Sequence, residues 1–156
     1  MRGEHYYEVT VRWTGNTGSG TLNYRDYGRD HDVLVQGKPT IKGSADRAFR
    51  GHEDRWNPED LLVASLSECH MLTYLALCAR SRVVVVEYED LATGRMEETG
   101  GYSGRFAEVV LNPKVVISDE SKLEEAVELH QRASQACFIS KSVNFPVRHN
   151  PTVEVA

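Results

Sequence analysis

The sequence predicts an α+β domain, on three observations. Period-two stretches rich in Val, Thr and Tyr occupy both halves of the chain. A long apolar helix follows a well-formed start signal at Asn57, and a second helix signal comes only after further strands. The order is therefore strands, helix, strands, helix, strand, the segregated pattern of α+β architecture. With 156 residues the chain has the size of a single domain, read as spanning 1–156, and it can bury a core without a disulfide or metal staple.

From His5 to Trp13 the pattern alternates, Tyr7, Val9, Val11 and Trp13 on one side and Glu8, Thr10 and Arg12 on the other, which predicts a half-buried strand. Gly15 to Gly20 is turn material. Thr21 to Arg25 and Asp32 to Gln36 read as two more strands, with Gly37-Lys38-Pro39 as the next turn. Gly43 to Trp56 is polar and irregular, a loop suited to shaping a site. In Asn57-Pro58-Glu59-Asp60 the Asn caps, the Pro fits the first helical position and the carboxylates complement the helix dipole. The helix runs to about Arg80 and is apolar on nearly every side, so it is expected to be buried and central, with antiparallel sheets packed around it.

Val83 to Leu91 begins a long strand, Gly94 and Gly100-Gly101 mark hairpin turns, and Phe106 to Ile117 is another strand. Ser121-x-x-Glu124 reads as a capping box opening a helix through Leu123, Val127 and Ala133 towards Cys137. The tail, Val143 to Val155, contains Pro146 and Pro151 and fits an edge strand.

Net charge is −5 and the positive residues are scattered, which argues against a nucleic-acid partner. No apolar leader follows the amino-terminal residues, and Leu61 to Ala79 carries Glu68, His70, Ser65, Ser67 and Thr73, too polar a set for a membrane span. The expected compartment is the cytoplasm, with no membrane partner. In a reducing compartment three cysteines are not a disulfide framework, so each is packing, a ligand or a reactive thiol. Cys69 and Cys78 lie nine residues apart and point to opposite helix faces at roughly 100° per residue. Leu62, Ser65, Leu66, Cys69, Leu72, Thr73 and Ala76 share one stripe, and Cys78, off it, reads as packing. Cys137 sits where the second helix ends, a junction at which a thiol can meet another helix, although spacing alone does not pair it. Six histidines and three cysteines include no CxxC, HxxxH or HExxH, so no metal and no resident cofactor is expected.

Three features together resemble the OsmC/Ohr family. Asn57-Pro58-Glu59-Asp60-Leu61-Leu62 is followed, ten residues after the Glu, by Cys69; Cys137-Phe138-Ile139-Ser140 is similar to the family's Cys-Pro-x-Ser; and the order of elements matches along essentially the whole chain. The resemblance implies an OsmC-like fold, a peroxidatic thiol at Cys69, a resolving thiol at Cys137, and Glu59 as partner of an arginine near the thiolate. Arg29 is the first choice for that arginine, with Arg25 and Arg50 behind it. The resemblance also implies an intertwined homodimer, an organic hydroperoxide substrate and an external dithiol reductant of the dihydrolipoyl type. Two positions depart from the pattern: His70 stands where Phe often follows the first cysteine, and Phe138 stands for Pro. Ser67-Glu68-Cys69-His70-Met71-Leu72 and Ser142-Val143-Asn144-Phe145-Pro146-Val147 look like a distinct OsmC-like branch.

On this basis the expected reaction is reduction of a hydroperoxide by a Cys69 thiolate, giving a sulfenic acid that Cys137 converts to a disulfide. Trp56, Leu62, Leu66, Met71, Phe138 and Phe145 are candidate walls of an apolar substrate pocket. Two other function classes stay open: a non-catalytic OsmC-like binding or redox-sensing protein, and a Cys-His hydrolase using His31 or His130 as base. Along a continuous helix the ten residues from Glu59 to Cys69 span about 15 Å, too far for a glutamate side chain, so the expected active site draws Glu59 from a second chain.

Overall fold

The computed structural model describes residues 3–156. Met1 and Arg2, part of the stretch read for the absence of a leader, lie outside the described residues. The chain divides into two compact units at Leu61/Leu62.

The amino-terminal unit is built on a three-stranded antiparallel sheet, β1 (Thr10–Trp13), β2 (His31–Leu34) and β3 (Ile41–Gly43), paired in that order. The alternation from His5 yields a strand only from Thr10, and its apolar side chains are exposed within this unit. β2 is four residues long and ends at the turn in which Lys38 N–H donates to Val35 O, so the residues before Thr10 have no partner strand. Thr21 to Arg25, expected as a strand, is a run of turns. Asn16 Oδ1 accepts from Gly18 and Gly20 N–H, and Leu22 and Asp26 N–H donate back to Ser19 and Asn23 O. Local side-chain acceptors here offer the backbone an alternative to a ladder. The segment read as a loop from Gly43 contributes the end of β3 and a short 3-10 turn at Arg47–Phe49, capped by Asp46.

Helix α1 (Pro58–Arg80) begins as its sequence predicts, with Asp60 N–H donating to Asn57 Oδ1 at 2.7 Å and Glu59 and Asp60 in the first turn. It ends in a Schellman motif: Val83 N–H donates to Cys78 O and Arg82 N–H to Ala79 O, with Arg82 at φ 58° where glycine is usual. Its buried residues, Leu66, His70, Tyr74 and Cys78, recur every fourth position and so form one stripe. By length and composition α1 is apolar enough to cross a membrane, contrary to the expectation from its polar residues; the buried stripe makes it the core helix of a folded unit.

The carboxy-terminal unit packs α1 and helix α2 (Leu123–Ala136) with two mixed sheets. One sheet has the order β4 (Val85–Asp90), β7 (Pro113–Ile117), β9 (Thr152–Val155); the other has β5 (Thr93–Gly100), β6 (Ser103–Leu111), β8 (Val147–His149). β4·β7 and β5·β6 are antiparallel, whereas β8 and β9 join parallel to β6 and β7. The crossover through α2 makes the parallel pairs possible. The tail read as one edge strand is thus two, in different sheets, and the strand read from Phe106 to Ile117 breaks at Asn112, whose N–H donates to Asp90 Oδ1. Gly100 and Gly101 form the β5–β6 turn at φ 85° and 63°. Gly94, expected in a turn, lies inside β5; a Cβ there would come within 2.7 Å of Phe106 and Val63 side-chain atoms, so glycine permits α1 to approach the hairpin.

The expected capping box at Ser121 does not form. Asp119 caps the preceding 3-10 turn, Glu120–Lys122, and the Ser121 hydroxyl donates to Asp119 Oδ1 rather than capping α2. A carboxylate is the stronger acceptor at the positive end of a helix. α2 buries Ala126, Leu129, His130 and Ala133, an i, i+3, i+4, i+7 stripe, while Val127 is exposed. Two clusters form the core, one around Tyr74, Cys78, Val115, Ile117 and Leu129, the other around Leu66, Val109 and Leu111.

Candidate active site

The buried stripe of α1 turns the other long face of the helix outward, and Cys69 lies on it. Cys69 is half-buried and borders an open groove with Ser65, Glu68, Leu72, Thr73, Ala76 and Arg80 of α1 and Ala136, Phe138 and Ile139 after α2. Leu72 and Phe138 are 63% and 80% exposed there, so the groove is apolar and unpartnered within the chain. Cys78, half a helix turn away in angle, is buried beside Tyr74 in the core.

Cys137 caps the end of α2 in an extended conformation, because the chain must turn there to reach the 3-10 turn Ser140–Ser142. Its side chain is buried, and the Cys69 thiol is a near neighbour, close enough to act on its ionisation. Burial pushes the Cys137 thiol up, and the nearby Cys69 thiol adds to this, while the Ser140 N–H, 3.4 Å from Sγ, pulls the other way. All three cysteines are free thiols. The structure therefore brings together the two cysteines that the spacing alone could not pair.

Behind Cys137 the fold buries a histidine cluster that the sequence reading missed. His70 Nε2 and His130 Nδ1 are 3.0 Å apart, and the His149 ring lies 5.6 Å from that of His70. Tyr74 stacks on His130 with ring centroids 3.7 Å apart. Burial holds His70 down to about 4 and His130 down to about 3, each also lowered by neighbouring histidine charge. Both rings are neutral at ordinary pH, and His130 Nε2 is buried without a partner. The signal was present in the sequence: His70 is one step of the four-residue stripe in α1 and His130 one step of the stripe in α2. Among the described residues, no group of three or more His, Cys, Asp or Glu is arranged to hold a metal ion.

Glu59 and the candidate arginines belong to the amino-terminal unit. Glu59 is half-buried and its Oε2 has no partner. Arg29 donates to the Tyr27 and Tyr24 carbonyls and lies over both tyrosine rings, 4.0 and 4.5 Å from their centroids. Its donors are thus engaged within its own loop. Arg25 is exposed, and Arg50 is exposed and sits at φ 68° after the 3-10 turn. Arg55, not among the candidates, holds a buried donor without a partner: its Nε lies 3.3 Å from Asp30 Oδ2 and its Nη1 is unsatisfied. Burial alone would raise the Asp30 carboxyl, but hydrogen bonds from His52 and Ser44 and the Arg55 charge outweigh it and hold it below the usual carboxylate range. The clue to Arg55 in the sequence was its place just before Asn57-Pro58-Glu59.

Of the residues expected to wall a pocket, Phe138 borders the groove, whereas Leu66 is fully buried in the core and Phe145 packs on the Phe106 ring. Leu62 and Met71 are half-buried on α1, and Trp56 is an exposed residue of the amino-terminal unit. A helix that is apolar on nearly every side does not announce which face is core. Of the bases considered for a hydrolase, His130 is buried and bonded to His70, and His31 belongs to the amino-terminal unit, its Nδ1 2.9 Å from the Arg29 carbonyl.

Comparison with known proteins agrees with this arrangement of elements. The family model described as OsmC-like protein matches residues 51–152. An OsmC-like protein of unknown function from Vibrio cholerae is 30% identical in sequence, with a TM-score of 0.85, covering 96% of this chain and 100% of that one. An organic hydroperoxide resistance protein from Elizabethkingia anophelis, at 19% identity, shares the fold with a TM-score of 0.67 over 99% of this chain and 100% of that one. The uncharacterized protein YmaD of Bacillus subtilis is 19% identical over 143 residues, 90% of this chain and 87% of its own length. With a thiol on α1 near one at the end of α2, an α1 that opens on Asn-Pro-Glu, and a family model matching most of its length, the chain belongs to the OsmC-like protein family.

Proposed function

We propose that the protein is a cytoplasmic thiol peroxidase that reduces organic hydroperoxides to alcohols. The observation that carries this reading is the proximity of the Cys69 and Cys137 thiols, one facing an apolar groove and the other buried. A Cys69 thiolate attacks the terminal oxygen of ROOH, the O–O bond breaks, and the alkoxide leaves as alcohol after taking a proton. Cys137 then displaces hydroxide from the sulfenic acid, and an external dithiol, with no resident cofactor, reduces the disulfide by exchange. Leu72, Ala76, Phe138 and Ile139 suit an alkyl substituent better than hydrogen peroxide. The resemblance put Arg29 first for the guanidinium beside the thiolate; the buried, unpartnered Nη1 of Arg55 favours that residue instead, and we assign it that role, with Glu59, whose buried Oε2 also has no partner, as its carboxylate partner.

Treatment of the reduced protein with one equivalent of cumene hydroperoxide is expected to give a Cys69–Cys137 disulfide within the chain, seen by non-reducing peptide mapping. Cys137→Ser is expected to accumulate sulfinic and sulfonic acid at Cys69, because its sulfenic acid has no partner. Sulfinic acid alone in the unmutated protein would remove Cys137 from the mechanism.

The same reading includes a homodimer. Glu59 and Cys69 stand ten residues apart on α1, about 15 Å along its axis, so a carboxylate beside the thiolate has to come from a second copy. The exposed apolar residues on the Cys69 face of α1 are a surface such a copy would cover. Glu59→Ala and Cys69→Ser chains, each inactive alone, are expected to regain one intact site when refolded together. Verified heterodimers with no recovered activity would place Glu59 in its own chain's site or outside the mechanism.

A further inference from the structure

Cys69 and Cys137 are near neighbours, yet they open onto different spaces. Cys69 faces the groove, whereas Cys137 is buried against a small cavity with room for about one water molecule. His70, His149, Ser134 and Ser140 share that cavity. Displacement at sulfur is collinear: as Cys137 Sγ attacks, hydroxide leaves Cys69 from the opposite side, towards the groove. The Cys137 proton, on the buried side, cannot follow it directly. Burial also pushes this thiol above its ordinary range, so it does not ionise unaided near neutral pH.

The cavity offers few acceptors. The Ser140 hydroxyl lies 3.4 Å from the Ser134 carbonyl and 3.3 Å from that of Cys137, as a donor, and a serine is too weak a base to keep a proton. His70 is buried, bonded to His130 and costly to charge. His149 differs. It ends β8, it is half-buried, and it borders the cavity while retaining access to solvent.

We propose that His149 is the base of the resolving step, taking the Cys137 thiol proton through the water the cavity accommodates while the S–S bond forms. The inference deepens the thiol peroxidase reading and rests on it. Cys69–SOH and Cys137–SH become the disulfide and water; the S–O bond breaks with its electron pair on hydroxide, and the proton leaving His149 for solvent balances that hydroxide. No further oxidant is consumed. His70 of α1 and His130 of α2 feel the His149 charge, as His70 feels that of Asp90 at the end of β4. Because both buried rings resist protonation, the proton moves outward from His149 rather than inward.

The test uses the reduced full-length protein, His149→Phe and His149→Gln, each mixed with one equivalent of cumene hydroperoxide. Alcohol is measured by chromatography and disulfide by rapid thiol quenching. Alcohol formation is expected within about twofold of the unmutated protein, and disulfide formation at pH 7 at least about tenfold slower in both variants. The slow step should recover by about tenfold per pH unit as hydroxide replaces the missing base. Disulfide formation at the unmutated rate in either variant overturns the proposal, as does slow formation with no recovery at high pH, which marks a packing role. If the unmutated protein releases alcohol without forming the disulfide, the resolving step itself is wrong. If it releases none, the peroxidase reading fails and takes this inference with it.

Discussion

Cys69→Ser is expected to lower consumption of cumene or tert-butyl hydroperoxide by about a thousandfold or more, while Cys78→Ser stays within about twofold of the unmutated protein. Both residues are thiols on α1, and they differ only in what their faces meet. Cys69 borders the groove and lies near the second thiol. Cys78 is buried beside Tyr74, and burial pushes its thiol up, against reactivity. The Cys78 substitution should register instead as stability, since a buried serine costs about 1–3 kcal/mol when its hydroxyl is poorly paired. Steady-state peroxidase rates and thermal melts on the two variants separate these effects. Equal loss of activity in both would overturn the assignment of Cys69 as nucleophile.

Acid should destabilise the fold well above the range in which carboxylates protonate. His70 and His130 stay neutral in the folded protein until about 4 and about 3, whereas in the unfolded chain each takes up a proton near its ordinary value. Below that value the unfolded chain binds more protons. Stability is therefore full above about pH 7.5 and falls towards pH 4, each histidine contributing a slope that rises to about 1.4 kcal/mol per pH unit. Asp30, Asp119 and Glu125, held below the usual carboxylate range, lose their contribution only at lower pH. The slope from the pair is thus about 1.4 kcal/mol per unit at pH 6.5 and approaches about 2.7 kcal/mol per unit near pH 5. His130→Phe keeps a flat ring for Tyr74 to stack on and removes one titrating group, so it is expected to halve that slope in urea denaturation across this window. An unchanged slope would show that the pair is not the acid-sensitive element.

Much of this architecture was legible in one dimension because it is local. The Asn57 cap, Pro58 and the two following carboxylates define the start of α1 by short-range hydrogen bonds and charge. Glycine pairs mark a turn by conformation alone, as at Gly100 and Gly101. Where local rules failed, a competitor of similar range won. The hydroxyl of Ser121 went to Asp119, and Asn16 turned its own backbone away from a ladder.

The sequence by itself determined the α+β order, the family, and which thiols were worth considering, since each depends on residue type at short spacing. Only tertiary structure decided which face of α1 is core, because a helix apolar on nearly every side carries no periodic signal; the four-residue stripe from Leu66 to Cys78 is set by what packs against it. Tertiary structure also brought Cys137 near Cys69, 68 positions earlier in the chain, and gathered His70, His130 and His149 from α1, α2 and β8. Those contacts join residues far apart in the chain, so neither spacing nor composition records them, and it is on them that the chemistry rests.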